Sequence, residues 1–157
     1  MPPSVYLETS IVSYLAAAPS RDLVVAAHQE QTHEWWRDRR PSFEVFVSEL
    51  VVREAGRGDP SAAERRLEII RGIPALRLSE ESLELGQRLA ETQAVLFAAR
   101  ADALHIAVAA VHGIDYLLTW NCRHIANAES RGRIGRACER FGFLAPVLCT
   151  PEELMGE

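Results

Sequence analysis

The sequence contains no lysine; all 17 of its basic side chains are arginine. That excludes chemistry that needs a lysine, such as a phosphate-binding loop or a Schiff base. It also excludes a phospho-acceptor receiver, which relies on a lysine beside its aspartates. Cysteine is scarce: Cys122, Cys138 and Cys149 cannot all pair within one chain, so free thiols in a reducing compartment are expected. No window approaches the ~18 apolar residues of a membrane span. Met1-Pro2-Pro3-Ser4-Val5 has no basic stretch leading into an apolar run, so no signal peptide and a cytoplasmic location are expected. Positive charge is in deficit, with a formal net charge of −5. A general basic surface for nucleic acid is therefore excluded, and any such contact must be local. Arginine still offers the forked donors that fit phosphate.

What remains is ordinary globular material: 157 residues, 48% hydrophobic and 25% charged. The length suits a single domain over residues 1–157 with one core. There is no internal repeat and no low-complexity linker. Val5-Tyr6-Leu7 reads as a buried strand ending at Glu8, followed by a helix from Ser10 to Leu15. Ser20 is placed to cap a helix from about Asp22 to Arg39, which Pro41 ends. Phe43 to Val47 is strand-like, and Ser48 caps a helix through Glu54. Asp59-Pro60 starts a helix to Arg71; Ala75 to Leu78 is a strand; Ser79 caps a helix from Glu80 to about Thr92. A helix from about Ala99 to His112 stops at Gly113, and Ile114 to Thr119 is a strand. A short basic helical region, the strand Val147-Leu148-Cys149 and a turn at Thr150-Pro151-Glu152-Glu153 complete the chain. Strands alternating with helices imply a parallel sheet covered by helices, with the working site beyond the carboxyl ends of the strands.

Asp102 is the most telling acid. Its helix is apolar around most of its circumference, so it should be buried, and a buried carboxylate is costly unless paired or bound to a cation. The alternative is that Asp102 simply caps the helix. Glu8 either follows a buried strand into a site, or faces solvent, or caps the next helix. Glu54 lies on the edge of the apolar stripe Leu50, Val51 and Ala55, where an exposed helix acid paired with Arg53 or Arg57 is equally readable. Asn121 follows a strand, a common place for a turn-forming asparagine. Trp35-Trp36 and Phe43 to Phe46 are assigned to the core rather than to a partner surface.

Taken together these residues resemble a known family. Val5-Tyr6-Leu7-Glu8-Thr9-Ser10 resembles the opening strand of PIN domains, where an acid precedes Thr-Ser. Glu54 with Gly58 looks like their second acid, and Ala101-Asp102-Ala103-Leu104-His105-Ile106-Ala107 is similar to their third-acid helix. Gly113-Ile114-Asp115-Tyr116-Leu117-Leu118-Thr119-Trp120-Asn121 looks like the strand that follows, with its Thr-x-Asp end. The resemblance runs from Tyr6 to about Leu148 and is nearest to toxins of the VapC type.

The resemblance implies an α/β three-layer sandwich, with a central, mostly parallel sheet flanked by helices. It implies an endoribonuclease using Mg²⁺ or Mn²⁺, part of a toxin–antitoxin pair, with an RNA substrate, a small antitoxin partner and a homodimer. Glu8, Glu54, Asp102 and Asn121 become the catalytic and metal-binding positions, and Thr9, Thr119, Arg123 and His124 those that meet substrate. Hard cations take such oxygen ligands. Two departures stand out: the first acid is Glu8 and the fourth position Asn121, where the family usually has aspartate. They motivate an alternative, a weakened PIN-like module that binds RNA or a protein without cleavage. Arg123, Arg131, Arg133, Arg136 and Arg140 form either a local phosphate strip or a solvated helix face. Cys122-Arg123-His124 is too sparse for a zinc site.

Overall fold

A computed structural model of the chain describes residues 1–92 and 100–157. At its centre is β1 (Ser4–Leu7), with Val5, Tyr6 and Leu7 wholly buried. A strand covered on both faces has no need of polar alternation, and Val5-Tyr6-Leu7 has none. β2 (Glu44–Ser48) and β3 (Ala75–Leu76) lie on one side of it, β4 (Tyr116–Leu118) and β5 (Val147–Cys149) on the other. The order is β3-β2-β1-β4-β5, and every pairing is parallel. The chain thus builds outward from β1 in one direction and then the other, which makes the carboxyl ends of β1 and β4 the switch point of the sheet.

The helices among the described residues are α1 (Thr9–Ala16), α2 (Leu23–Asp38), α3 (Glu49–Ala55), α4 (Pro60–Ile70), α5 (Glu80–Glu91), α6 (Arg100–Val111) and α7 (Arg131–Arg140). Ser48, Asp59 and Ser79 cap α3, α4 and α5, each side chain accepting a hydrogen bond from a first-turn N–H. The cap of α2 differs from expectation. Asp22 Oδ1 accepts from Val24 and Val25 N–H, whereas the Ser20 hydroxyl accepts from Asp22 N–H one step earlier. The carboxylate, two residues nearer the helix, satisfies two orphan donors at once.

β4 is shorter than the Ile114-to-Thr119 run. Gly113, at φ +69°, turns the chain back, and Ile114 N–H closes on Ala109 C=O, so Ile114 belongs to the end of α6. The strand at Ala75 stops at Leu76. The expected helix start at Ala99 lies outside the described residues. Asp102 is in the first turn of α6, which begins by Arg100, so it is not the residue that caps it.

The core gathers Trp35, Tyr6, Leu7, Ile11, Leu85, Leu89, Ile106, Leu117, Leu118, Ile125 and Ile134. Trp35 is fully buried as expected, and Trp36 is half-buried beneath the Arg40 guanidinium, 3.9 Å from the ring centroid. Phe43 and Phe46 pack half-buried against the core. α6 is buried along Ala103 and His105 to Ala110, in keeping with its apolar circumference. It approaches α5 closely at Gly86, where a Cβ would lie 3.3 Å from Leu104 Cα. Cys122, Cys138 and Cys149 are all free thiols.

Candidate active site

Glu8 leaves the end of β1 and its backbone turns straight into α1. Its carboxylate accepts from Ser10 N–H at 3.0 Å and from the Ser10 hydroxyl at 2.5 Å, so it does cap α1. Leu7 pairs with Leu118 across the sheet, which sets Glu8 beside Thr119. The Thr119 hydroxyl donates to Glu8 Oε1 at 2.6 Å, and Glu8 is only 7% exposed. The cap and the buried acid are therefore the same residue, not alternatives.

Glu54 reaches the same rim from α3. Its Oε1 accepts from the Thr9 hydroxyl at 2.6 Å and from His105 Nε2 at 2.7 Å, which leaves Oε2 without a hydrogen bond among the described residues. Burial raises the Glu54 carboxyl, but His105, the Thr9 hydroxyl and Arg57 outweigh it and hold the group below its usual range. Glu54 is thus part of a buried cluster rather than an exposed acid paired with Arg53.

Asp102, one turn before His105 on α6, is half-buried. Burial and then the charge of Glu8 raise its carboxyl above the usual range, against the hydrogen bond from Asn121 and the nearby His124 and His105. Asn121 has turned its own oxygen away, accepting from His124 N–H at 3.0 Å. Its side chain therefore meets Asp102 as a donor. His124 is half-buried and Arg123 exposed. Thr9 and Thr119 spend their hydroxyl hydrogens on the two glutamates.

Glu8, Glu54 and His105 each bring one ligand-type atom into a group whose members lie within 4.8 Å of one another. Asp102 stands beside that triplet rather than in it. His105 sits in the third-acid helix motif but had no role in the sequence reading. Its signal was a polar ring one turn after a buried acid on an otherwise apolar helix, a group that burial obliges to find a partner. The ring is 1% exposed, and its Nδ1 lies 2.5 Å from the Tyr6 hydroxyl, which in turn lies 2.8 Å from Ser48 Oγ. Burial keeps the Tyr6 phenol far above its usual range, so it remains protonated.

The turn that carries Thr119 and Asn121 is fastened from α2. Trp120 stacks on His28 with centroids 3.9 Å apart and planes at 9°, and its indole N–H donates to Thr32 Oγ1 at 2.7 Å. Of the arginines beyond Asn121, Arg131 is paired with Glu153 at 2.8 Å, while Arg133, Arg136 and Arg140 are exposed on α7.

No protein-family profile matches the chain, and no curated protein matches it in sequence. Solved structures do match in fold. VapC20 of Mycobacterium tuberculosis, described as a toxin that cleaves the sarcin-ricin loop, aligns with a TM-score of 0.56 at 20% identity, over 73% of this chain and 87% of its own. VapBC2 of Rickettsia felis, determined bound to a DNA fragment from its promoter, aligns with a TM-score of 0.58 at 15% identity, over 93% and 97%. The parallel five-stranded sheet, its covering helices and these two likenesses give the chain the fold of a VapC-like PIN domain.

Proposed function

We propose that the chain is a Mg²⁺- or Mn²⁺-dependent endoribonuclease, the toxin of a toxin–antitoxin pair. The observation that carries this reading is the convergence of Glu8 and Glu54 with His105 within 4.8 Å at the switch point, with Asp102 near enough to feel the Glu8 charge. Like charges held together in a half-buried pocket call for a cation.

The donors suit a hard ion. Among the described residues Glu54 Oε2 takes no hydrogen bond and Glu8 Oε2 takes one, so both retain lone pairs for a metal, with the Asp102 carboxylate nearby. A bound ion would acidify water, orient the scissile phosphate and offset charge on the leaving oxygen. The chain itself does the holding. Ser10 and Thr119 fix Glu8, and Thr9 and His105 fix Glu54. Thr9 and Thr119 thus serve the substrate through the acids they orient. Arg123 and His124, next to Asn121 in the chain, are the side chains assigned to the RNA itself. A small antitoxin, a homodimer and a cytoplasmic location belong to the same reading. Among the described residues, no helix is long and apolar enough to cross a membrane.

A second reading, binding without cleavage, draws support from Asn121, whose oxygen is committed to His124 N–H and adds no charge. Incubation of the purified protein with structured RNA, with Mg²⁺ or with EDTA, separates the two. Cleavage that needs the ion and disappears in Asp102→Asn is the expected result; cleavage unchanged in that variant would sink the mechanism. Calorimetric titration with Mn²⁺ that shows no saturable binding would favour the second reading.

A further inference from the structure

The geometry points to His105 as a positioning residue locked in its Nε2–H form by Tyr6 and Ser48, a donor to Glu54 and not a ligand of the metal. The inference deepens the proposed nuclease site and rests on that reading for its metal-binding part.

Distance alone would make His105 a ligand, since its ring nitrogen belongs to the tight triplet with Glu8 and Glu54. Counting hydrogens leads elsewhere. Ser48 Oγ is buried and accepts from Val51 N–H at 3.2 Å. Its remaining partner among the described residues is the Tyr6 hydroxyl, so that is where its own hydrogen goes. The Tyr6 oxygen is then an acceptor towards Ser48, and its hydrogen points to His105 Nδ1. Nδ1 is therefore the unprotonated nitrogen, and Nε2 carries the hydrogen that Glu54 Oε1 accepts. Reversing the chain, with Nδ1–H donating to Tyr6, would leave the buried Ser48 hydroxyl hydrogen without an acceptor. The other neutral tautomer would also set the Nε2 lone pair against the Glu54 carboxylate at 2.7 Å.

The run from Val51 N–H through Ser48, Tyr6 and His105 to Glu54 is thus a one-way file of donors. It begins at the N-terminus of α3 and ends on an acid of the same helix, passing through β1 and α6. Its effect is to hold Glu54 Oε1 and present Oε2 outward. An Nε2 that carries hydrogen has no lone pair to give a cation.

Nitrogen-15 NMR of the histidine rings tests this in the protein as purified, without metal. Protonated Nε2 and unprotonated Nδ1 at His105 are expected, unchanged on adding Mg²⁺ and then Zn²⁺, the ion with the greater appetite for imidazole. An imidazolium, an Nδ1–H form, or loss of the Nε2 hydrogen on adding either metal overturns the inference. This readout decides the matter even if the protein cleaves no RNA. Two variants carry the positioning claim. Tyr6→Phe keeps the ring and removes the hydroxyl; a fall of ~10-fold in Mg²⁺ affinity is expected, as for outer partners of metal ligands. His105→Gln keeps an N–H for Glu54 and should bind Mg²⁺ better than His105→Ala. Equal Mg²⁺ affinity in Tyr6→Phe and the parent would remove Tyr6 from the chain of cause. Equal affinities for His105→Gln and His105→Ala in folded protein would do the same for the N–H.

Discussion

Replacing Asp102 with asparagine should make the metal-free protein more stable and the metal-loaded protein less so. Asp102 is raised first by burial and then by the charge of Glu8, so its ionised form is a net cost to the fold. Two like charges sharing one site repel by a few kcal/mol at an effective dielectric of ~20. Asp102 is half exposed, and solvent screening reduces the recoverable part to about 1 kcal/mol. An amide oxygen at position 102 can take the same donors as the carboxylate, so little is lost in exchange. For a chain of this length the gain is a rise of ~2–4 °C in Tm. Metal reverses the order. With Mg²⁺ at ~100 times Kd the parent gains about 2.7 kcal/mol, a gain the variant forgoes in large part. Differential scanning fluorimetry in EDTA and in Mg²⁺ should therefore give curves that exchange places. The pH dependence has a definite sign. Asp102 has its folded value raised, so the EDTA gap is full above that value and closes as pH falls toward the unfolded carboxylate. Glu54 has its folded value lowered, so its contribution is present at neutral pH and is lost as pH falls through that value. An Asp102→Asn protein that melts lower than the parent in EDTA, and gains as much from Mg²⁺, would refute this account.

The thiols offer a check on burial. Cys122 is exposed, whereas burial pushes Cys138 up to about 11 and Cys149 up to about 12. A thiol reagent at mild alkaline pH should modify one cysteine quickly in the native protein, mapped to Cys122 by mass spectrometry, and all three only after unfolding. Trp35→Ala should cost about 3–5 kcal/mol, read from urea unfolding, because Trp35 is wholly buried and its ring packs tilted against Phe43.

Much of this arrangement is legible in the chain because its causes are local. Glu8 ends an apolar strand, Ser48, Asp59 and Ser79 each precede a helix, and α6 is apolar all round, which marks Asp102 as a buried acid. What escapes is whatever depends on a partner distant in sequence. His105 and Tyr6 both look like core positions, and only the pairing of β1 with α6, 99 residues apart, turns them into a hydrogen-bonded pair. Asn121 follows β4, but the direction of its amide is set by His124 N–H. The arginines of α7 looked equivalent, yet Arg131 is taken by Glu153 while its neighbours face water. Proximity on the chain did decide Ser20 against Asp22, where two residues' difference chose the better acceptor.

Gly86 sets how closely α5 and α6 can lie. The missing side chain lets one helix rest against the backbone of the next at Leu104, between Asp102 and His105. Any larger residue there would wedge the two rods apart, and the displacement would surface on the opposite side as a misaimed carboxylate and a stretched imidazole contact. The aim of Asp102 and His105 is thus set from behind, by a residue that carries no side chain.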